Sequence, residues 1–165
     1  MKIEFTKTKM KLASVNPRAE IHGEEREPAG DLKLEVDCPS EVLANFHPAL
    51  RSLLYYHDEN RQRDLADQGS AGRKDFAPDL RMPLLGSPLK WEDEMLGASV
   101  TLCQPGSRSA IALEGCAVNN FAITPLEGGT ISLAFRVQAH PDSRAFGALC
   151  TLVQQDVEVT IEAGE

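Results

Sequence analysis

Apolar and polar residues alternate most regularly after Glu127-Gly128-Gly129. There Ile131, Leu133, Phe135 and Val137 take one side of the chain, and Thr130, Ser132, Arg136 and Gln138 take the other. Period-two alternation predicts a strand with one buried and one wet face. Gly128 and Gly129 supply the positive φ angles of a tight reversal, and the β-forming run Val118 to Ile123 is the natural partner, so Glu114 to Arg136 reads as a hairpin. The same alternation recurs twice. Leu32, Leu34 and Val36 alternate with Lys33, Glu35 and Asp37, and Val157, Val159 and Ile161 with Glu158, Thr160 and Glu162. Shorter extended pieces fall at Ala98 to Cys103 and Ser109 to Leu113, which makes residues 98–138 four consecutive strands of an antiparallel meander. The period then changes. Phe146, Leu149, Cys150 and Val153 stand at i, i+3, i+4 and i+7, the spacing of an amphipathic helix over Ser143 to Gln155 despite Gly147. Ile131, Leu133, Phe135, Phe146, Leu149, Val157, Val159 and Ile161 are therefore expected to share a core.

At the N-terminus the apolar positions switch parity, with Ile3 and Phe5 odd but Met10 and Leu12 even. A bulge near Thr6 resolves the conflict. Beyond it Lys7, Lys9 and Lys11 share the face opposite Met10 and Leu12, as on an edge strand guarded by lysine. Residues 14–30, punctuated by Pro17, Gly23, Pro28 and Gly30, read as a polar connection. Pro39-Ser40 and Pro48 each open a short helix, because proline suits the first helical position. Residues 58–79 carry mixed charge around Gly69-Ser70-Ala71-Gly72 and read as a polar, mobile loop. Pro83 and Pro88 restrict residues 80–90 to an edge strand or an extended crossing. These elements add up to an α+β fold over residues 1–165. It is one domain built on a predominantly antiparallel β-sheet or sandwich of about seven or eight strands, with two or three short helices.

Composition narrows the function without choosing it. The 165 residues carry a formal net charge of -8, which argues against general binding of polyanions. Residues 1–20 run the other way, with five basic and two acidic side chains, a local +3. Lys7, Lys9 and Lys11 are accordingly the candidate nucleic-acid-binding residues, at a spacing of ~6.8 Å that approaches that of successive phosphates on an extended strand. The four cysteines stand singly, without a C-x-x-C pair, and read as reduced thiols in a cytosolic protein. The N-terminus lacks the apolar core of a signal peptide, and no segment approaches the ~18 apolar residues of a membrane span.

Candidate chemistry is sparse. His22, Glu24 and Glu25 lie together but lack a second ligand group at metal spacing, and His140-Pro141-Asp142 fits a helix entrance. Gly69 to Lys74 lacks the residue order of a phosphate-binding loop. Tyr55 and Tyr56, near Arg51, are core caps before they are base-stacking platforms. Neither catalytic residues nor a metal or other cofactor are expected.

His22-Gly23-Glu24-Glu25, Asp31-Leu32-Lys33-Leu34, Val42-Leu43 with Phe46, Leu50-Arg51, Leu80-Arg81, and Glu127 to Thr130 running into Phe135 to Gln138 together resemble a group of uncharacterised proteins encoded by bacteriophages and prophages. The resemblance implies a phage-derived protein in the bacterial cytoplasm and carries over no catalytic residue. The expected function is a non-enzymatic binding or accessory protein, in phage DNA replication or recombination. The alternative is a structural or interaction protein, a virion subunit or a modulator of a host protein, that associates through an exposed sheet edge.

Overall fold

The computed structural model describes residues 2–22, 25–58, 77–86, 88–107 and 109–164. The polar loop read at 58–79 falls mostly outside these residues. The first strand, β1 (Phe5–His22), turns back into β2 (Glu25–Pro39). A 3-10 helix, Ser40–Asn45, and α1 (Leu50–Leu54) follow, and then a small ribbon pairs β3 (Tyr55–Tyr56) with β4 (Asp79–Leu80). Next come β5 (Leu89–Trp91), β6 (Met95–Cys103), β7 (Ala110–Leu126) and β8 (Thr130–Ala139). The chain ends with α2 (Ser143–Thr151) and β9 (Asp156–Glu162).

All pairings in the main sheet are antiparallel, and they close on themselves. β1 pairs with β2, β2 with β8, β8 with β7, β7 with β6, β6 with β9, and β9 with β1. The outcome is a barrel, with β5 paired to the far part of β7 beside the end of β6. Closure puts one face of every strand inside, which is why the alternating apolar residues at 32–36, 131–137 and 157–161 are all buried. The interior is a packed core with Phe5, Phe135, Phe121, Phe46 and Trp91 in a row of ring contacts, neighbouring centroids 5.4 to 6.2 Å apart.

The reversal at Glu127-Gly128-Gly129 forms as its glycines require, with φ of +83° and +75°. The N-terminal bulge is also present. Register shifts between Phe5 and Thr8, Lys7 sits at φ +45°, and Met10 and Leu12 turn inward as the parity switch demands.

Four sequence expectations are corrected. β1 is not an edge strand of the sheet, because it lies between β9 and β2, although β9 pairs with Phe5 to Lys11 and β2 only from Lys11 onward, so Lys7 and Lys9 stay on a stretch with a single partner strand. Residues 14–30 are not a loop: the hairpin continues with Pro17 opposite Gly30 and Ala19 opposite Pro28. Proline is tolerated because past Gly30 the hairpin has no third strand among the described residues, and a proline nitrogen can face the unpaired side. The extended pieces at 109–113 and 118–123 are one bent strand, β7, carried through Gly115 and Asn120 at φ of +65° and +59° with register shifts in both flanking pairings. Phe146 is half-buried and not a core residue, its ring edge against Gly30, while Leu149 takes the interior position.

Helices stop the two ends. Ser40 donates its N–H to Gly129 O at 2.8 Å, which fixes the 3-10 helix beside the β7–β8 turn, and Leu43, Phe46 and Leu54 fill that mouth. α2 spans β8 and β9 at the other mouth and buries Leu149 and Leu152. Asp142 caps it by accepting the Ala145 N–H at 2.7 Å.

Candidate interaction surfaces

Lys7, Lys9 and Lys11 are exposed on the outer face of β1, but carboxylates are interleaved with them. Lys9 Nζ lies 3.0 Å from Asp156 Oδ2 and faces Glu158 in register. Lys11 is opposite Asp156 in β9 and Glu35 in β2. The Lys7 N–H donates to Thr160 Oγ1 at 3.1 Å, which anchors the bulge. A shallow recess of about 460 Å³ over this region is lined by Lys9, Lys11, Glu35, Asp37, Ser132 and Asp156. Its three carboxylates outnumber its two ammonium groups, so it lacks the concentrated positive field that steers polyanions.

A polar belt crosses the barrel wall on β1, β2, β8 and β7. Arg136 Nε donates to Asn119 Oδ1 at 3.0 Å, and the Asn119 amide donates to Gln138 Oε1 at 3.0 Å and to Glu94 Oε1 at 2.7 Å. Arg136 Nη1 stands 3.8 Å from Asp31 Oδ2. Arg18 reaches Asp31 at 3.5 Å, an ion pair without hydrogen-bond geometry, and Glu20 at 2.6 Å. His140 Nε2 is 2.9 Å from the other Glu20 oxygen. These contacts tie the base of the β1–β2 hairpin to the barrel. Above the belt, a groove of about 450 Å³ runs over Ala122, Thr124, Ser132 and Ala134. It leads into a recess of about 720 Å³ beside Trp91 and Glu92 to Glu94.

The third surface is apolar. Arg81 binds this end together, since its N–H donates to Leu54 O at 2.9 Å, its Nε to Ser52 O at 2.7 Å, and its guanidinium lies 5.4 Å from the Tyr56 ring centroid. Around it Leu84 is 96% exposed, Leu53 60% and Met82 49%, with Tyr56 and Leu85 also open to solvent. Tyr55, by contrast, is buried. Its hydroxyl accepts the Leu126 N–H at 3.0 Å and stands 2.9 and 2.5 Å from the carbonyl oxygens of Leu126 and Thr130. Of the adjacent tyrosines, one is therefore a core cap and the other a surface residue.

Comparison with protein-family models, curated proteins and solved structures gives no match. The chemistry must be read from the side chains alone. All four cysteines are free, and burial pushes the Cys38 and Cys116 thiols up to about 11, with Asp37 and Glu114 adding to the effect. Such thiols stay protonated and unreactive near neutrality. Among the described residues, no group of three or more His, Cys, Asp or Glu converges as metal ligands would. His22 and Glu25 face each other in register at the hairpin tip, and Glu24 lies outside the described residues. Arg51 is committed to Ser40 Oγ and Glu41 Oε1, at 3.2 and 3.0 Å. No helix among the described residues is long and apolar enough to cross a membrane.

Sequence reasoning put the candidate site on β1 and missed both the groove and the apolar end. A signal existed for the apolar end. Met82, Leu84 and Leu85 stand between prolines without helical or strand periodicity, so nothing in the pattern assigned them to a core. The groove left only a faint trace, the short Ser132 and Ala134 at outward positions of β8.

Proposed function

We propose that the protein is a non-enzymatic accessory protein that acts by binding another protein through the apolar surface around α1 and residues 81–85. The observation that carries this reading is that Leu84, Leu53, Met82, Leu85 and Tyr56 make up five of the seven exposed large hydrophobic side chains among the described residues, the others being Leu126 and Leu96. Isolated exposed apolar residues need no explanation, but several on two neighbouring segments are the mark of an interaction surface. The resemblance to phage- and prophage-encoded proteins supports a bacterial cytoplasm as the setting. The partner is then a phage or host protein, or a second copy of this chain.

The second reading, an accessory role in phage DNA replication or recombination, rests on the exposed ammonium groups of Lys7, Lys9 and Lys11. The interleaved Asp156, Glu158 and Glu35 weaken it. One experiment separates the two. Tagged protein recovered from phage-infected bacteria with nuclease treatment should retain a partner protein, and Leu84→Asp should lose it. Retention unchanged in Leu84→Asp would overturn the apolar-surface assignment. The rival result is oligonucleotide binding with a salt slope of about -2, abolished when all three lysines become glutamine.

A further inference from the structure

We infer that the groove on the outer face of β7 and β8 holds an extended, arginine- or lysine-bearing polypeptide segment. This site is separate from the apolar end and rests on the proposed function only in taking a protein as its partner. Ala122 stands opposite Ala134 in the β7–β8 register, so two methyl groups form the floor where most strand pairs would raise longer side chains. Lys33 and Glu35 border the floor on one side and Pro88 on the other. The groove, about 450 Å³, and the recess beyond it, about 720 Å³, share Asn120, Ala122 and Arg136 and so form one path. Each part lies in the range of ~300–1,000 Å³ found for clefts that hold ligands, and together they suit a run of several residues. The border strand β5 has β7 as its neighbour and no second strand among the described residues.

Charge decides which segment. Within the groove Lys33 lies 2.8 Å from Glu35, and Arg136 pairs with Asp31, so these charges offset one another. The recess is lined by Lys90 and Arg136 against Glu92, Asp93 and Glu94, and Arg136 is already paired with Asp31, so negative charge is in excess beside the partly exposed Trp91 ring. Trp91 meets Phe46 edge-to-face, and an indole so placed can receive a guanidinium or ammonium group on its exposed portion. An acidic peptide or a polyanion would meet repulsion here, whereas a basic segment gains on approach from the net charge of -8 as well.

The test is fluorescence anisotropy with the full chain and a fluorescein-labelled peptide of alternating Arg and Ser, against a matched peptide of alternating Glu and Ser. The expected result is salt-sensitive binding of the basic peptide alone. Ala134→Trp fills the floor without altering charge and should weaken binding about tenfold or more. Ala122→Trp does the same from the facing strand, should the first variant fail to fold. Glu92→Gln with Asp93→Asn should weaken binding and flatten its salt dependence. Equal binding of the two peptides, or binding unchanged by a folded Trp variant, would overturn the inference. The two readings also fail separately. A cellular partner lost from Leu84→Asp but retained by a Trp variant, in the absence of peptide binding, would sink the groove alone. Groove-dependent peptide binding without any partner at the apolar end would sink the other.

Discussion

The two ends of the barrel solve the same problem with different chemistry. Each is an open mouth that must be stopped to keep water from the core, and each is stopped by a short helix that inserts leucine. At the α2 end the helix is capped by Asp142, and Leu149 and Leu152 point inward. What α2 shows to solvent is Ser143, Arg144, Gly147, Cys150 and Thr151, with Phe146 only half-exposed against Gly30. At the α1 end Leu43, Phe46 and Leu54 do the plugging, neither the 3-10 helix nor α1 has a side-chain cap, and the apolar side chains continue outward to Leu53, Met82 and Leu84. Plugging therefore accounts for the α2 end completely and for the α1 end only in part. The surplus apolar surface at one end, absent from its counterpart, is what makes the α1 end a candidate contact.

Variants can test this contrast from the strongest effect down. Phe135 stacks on Phe5 and touches Phe121 midway between the two plugs, so Phe135→Ala should destabilise the whole barrel by about 3–5 kcal/mol. A loss below ~1 kcal/mol in a denaturant melt would mean that the barrel has no common core. Next comes the comparison itself. Leu149→Ala should cost about 2–5 kcal/mol because its site is fully enclosed, while Leu84→Ala should stay within ~0.5 kcal/mol because nothing covers it. Similar costs at both positions would show that Leu84 packs against the chain in solution and would dissolve the distinction.

Tyr55→Phe asks how firmly the α1 end is held. The hydroxyl is the hydrogen-bond partner of Leu126 at the approach to the β7–β8 turn. Removing it takes a hydrogen-bond partner from the part-buried Leu126 main chain, at a cost of about 0.5–1.5 kcal/mol. Hydrogen exchange should then quicken at Leu126 and around the turn, with α2 unchanged. Faster exchange at both ends would mean that the plugs are not independent.

Much of the fold was legible because local rules specify it. Alternation at 32–36, 131–137 and 157–161 fixed which residues face inward, the Gly128-Gly129 reversal placed a hairpin, and the parity switch put a bulge near Thr6, one residue before the positive φ of Lys7. The misreadings share a cause, which is that tertiary pairing overrode local punctuation. Pro17 and Pro28 looked like loop residues because their cost depends on whether a third strand is present. The pieces at 109–113 and 118–123 looked separate because a glycine at positive φ serves a turn and a bulge alike, and Gly115 bends one continuous strand. Barrel closure depends on β1 meeting β9 across most of the chain, and no local pattern records that. The candidate site was harder still to read. The groove exists through the juxtaposition of Ala122 and Ala134, and the neutralisation of the lysine face through that of Lys9 and Asp156, both products of register.

The smallest expected effect concerns the lysine that begins that face. Lys7 lies at φ +45° between Phe5 and Thr8, toward the α1 end, where β1 changes parity to bring Met10 and Leu12 inward. A left-handed backbone costs a residue with a side chain ~1–2 kcal/mol, a cost that glycine escapes, although glycine also loses ~0.5–1 kcal/mol through the greater freedom of its unfolded chain. Lys7→Gly should therefore leave stability unchanged or raise it by up to about 1 kcal/mol. Lys7→Val, whose branched side chain crowds its own main chain at positive φ, should lower it. Lys9→Gln removes an exposed ion pair with Asp156 and should alter stability by less than ~1 kcal/mol in either direction. Urea melts of the three variants give the ranking directly. If valine and glycine at position 7 prove equivalent, the strand does not bulge there. The parity of Lys9 and Lys11 would then have to be set elsewhere, and the salt-bridged face of β1 would need another origin.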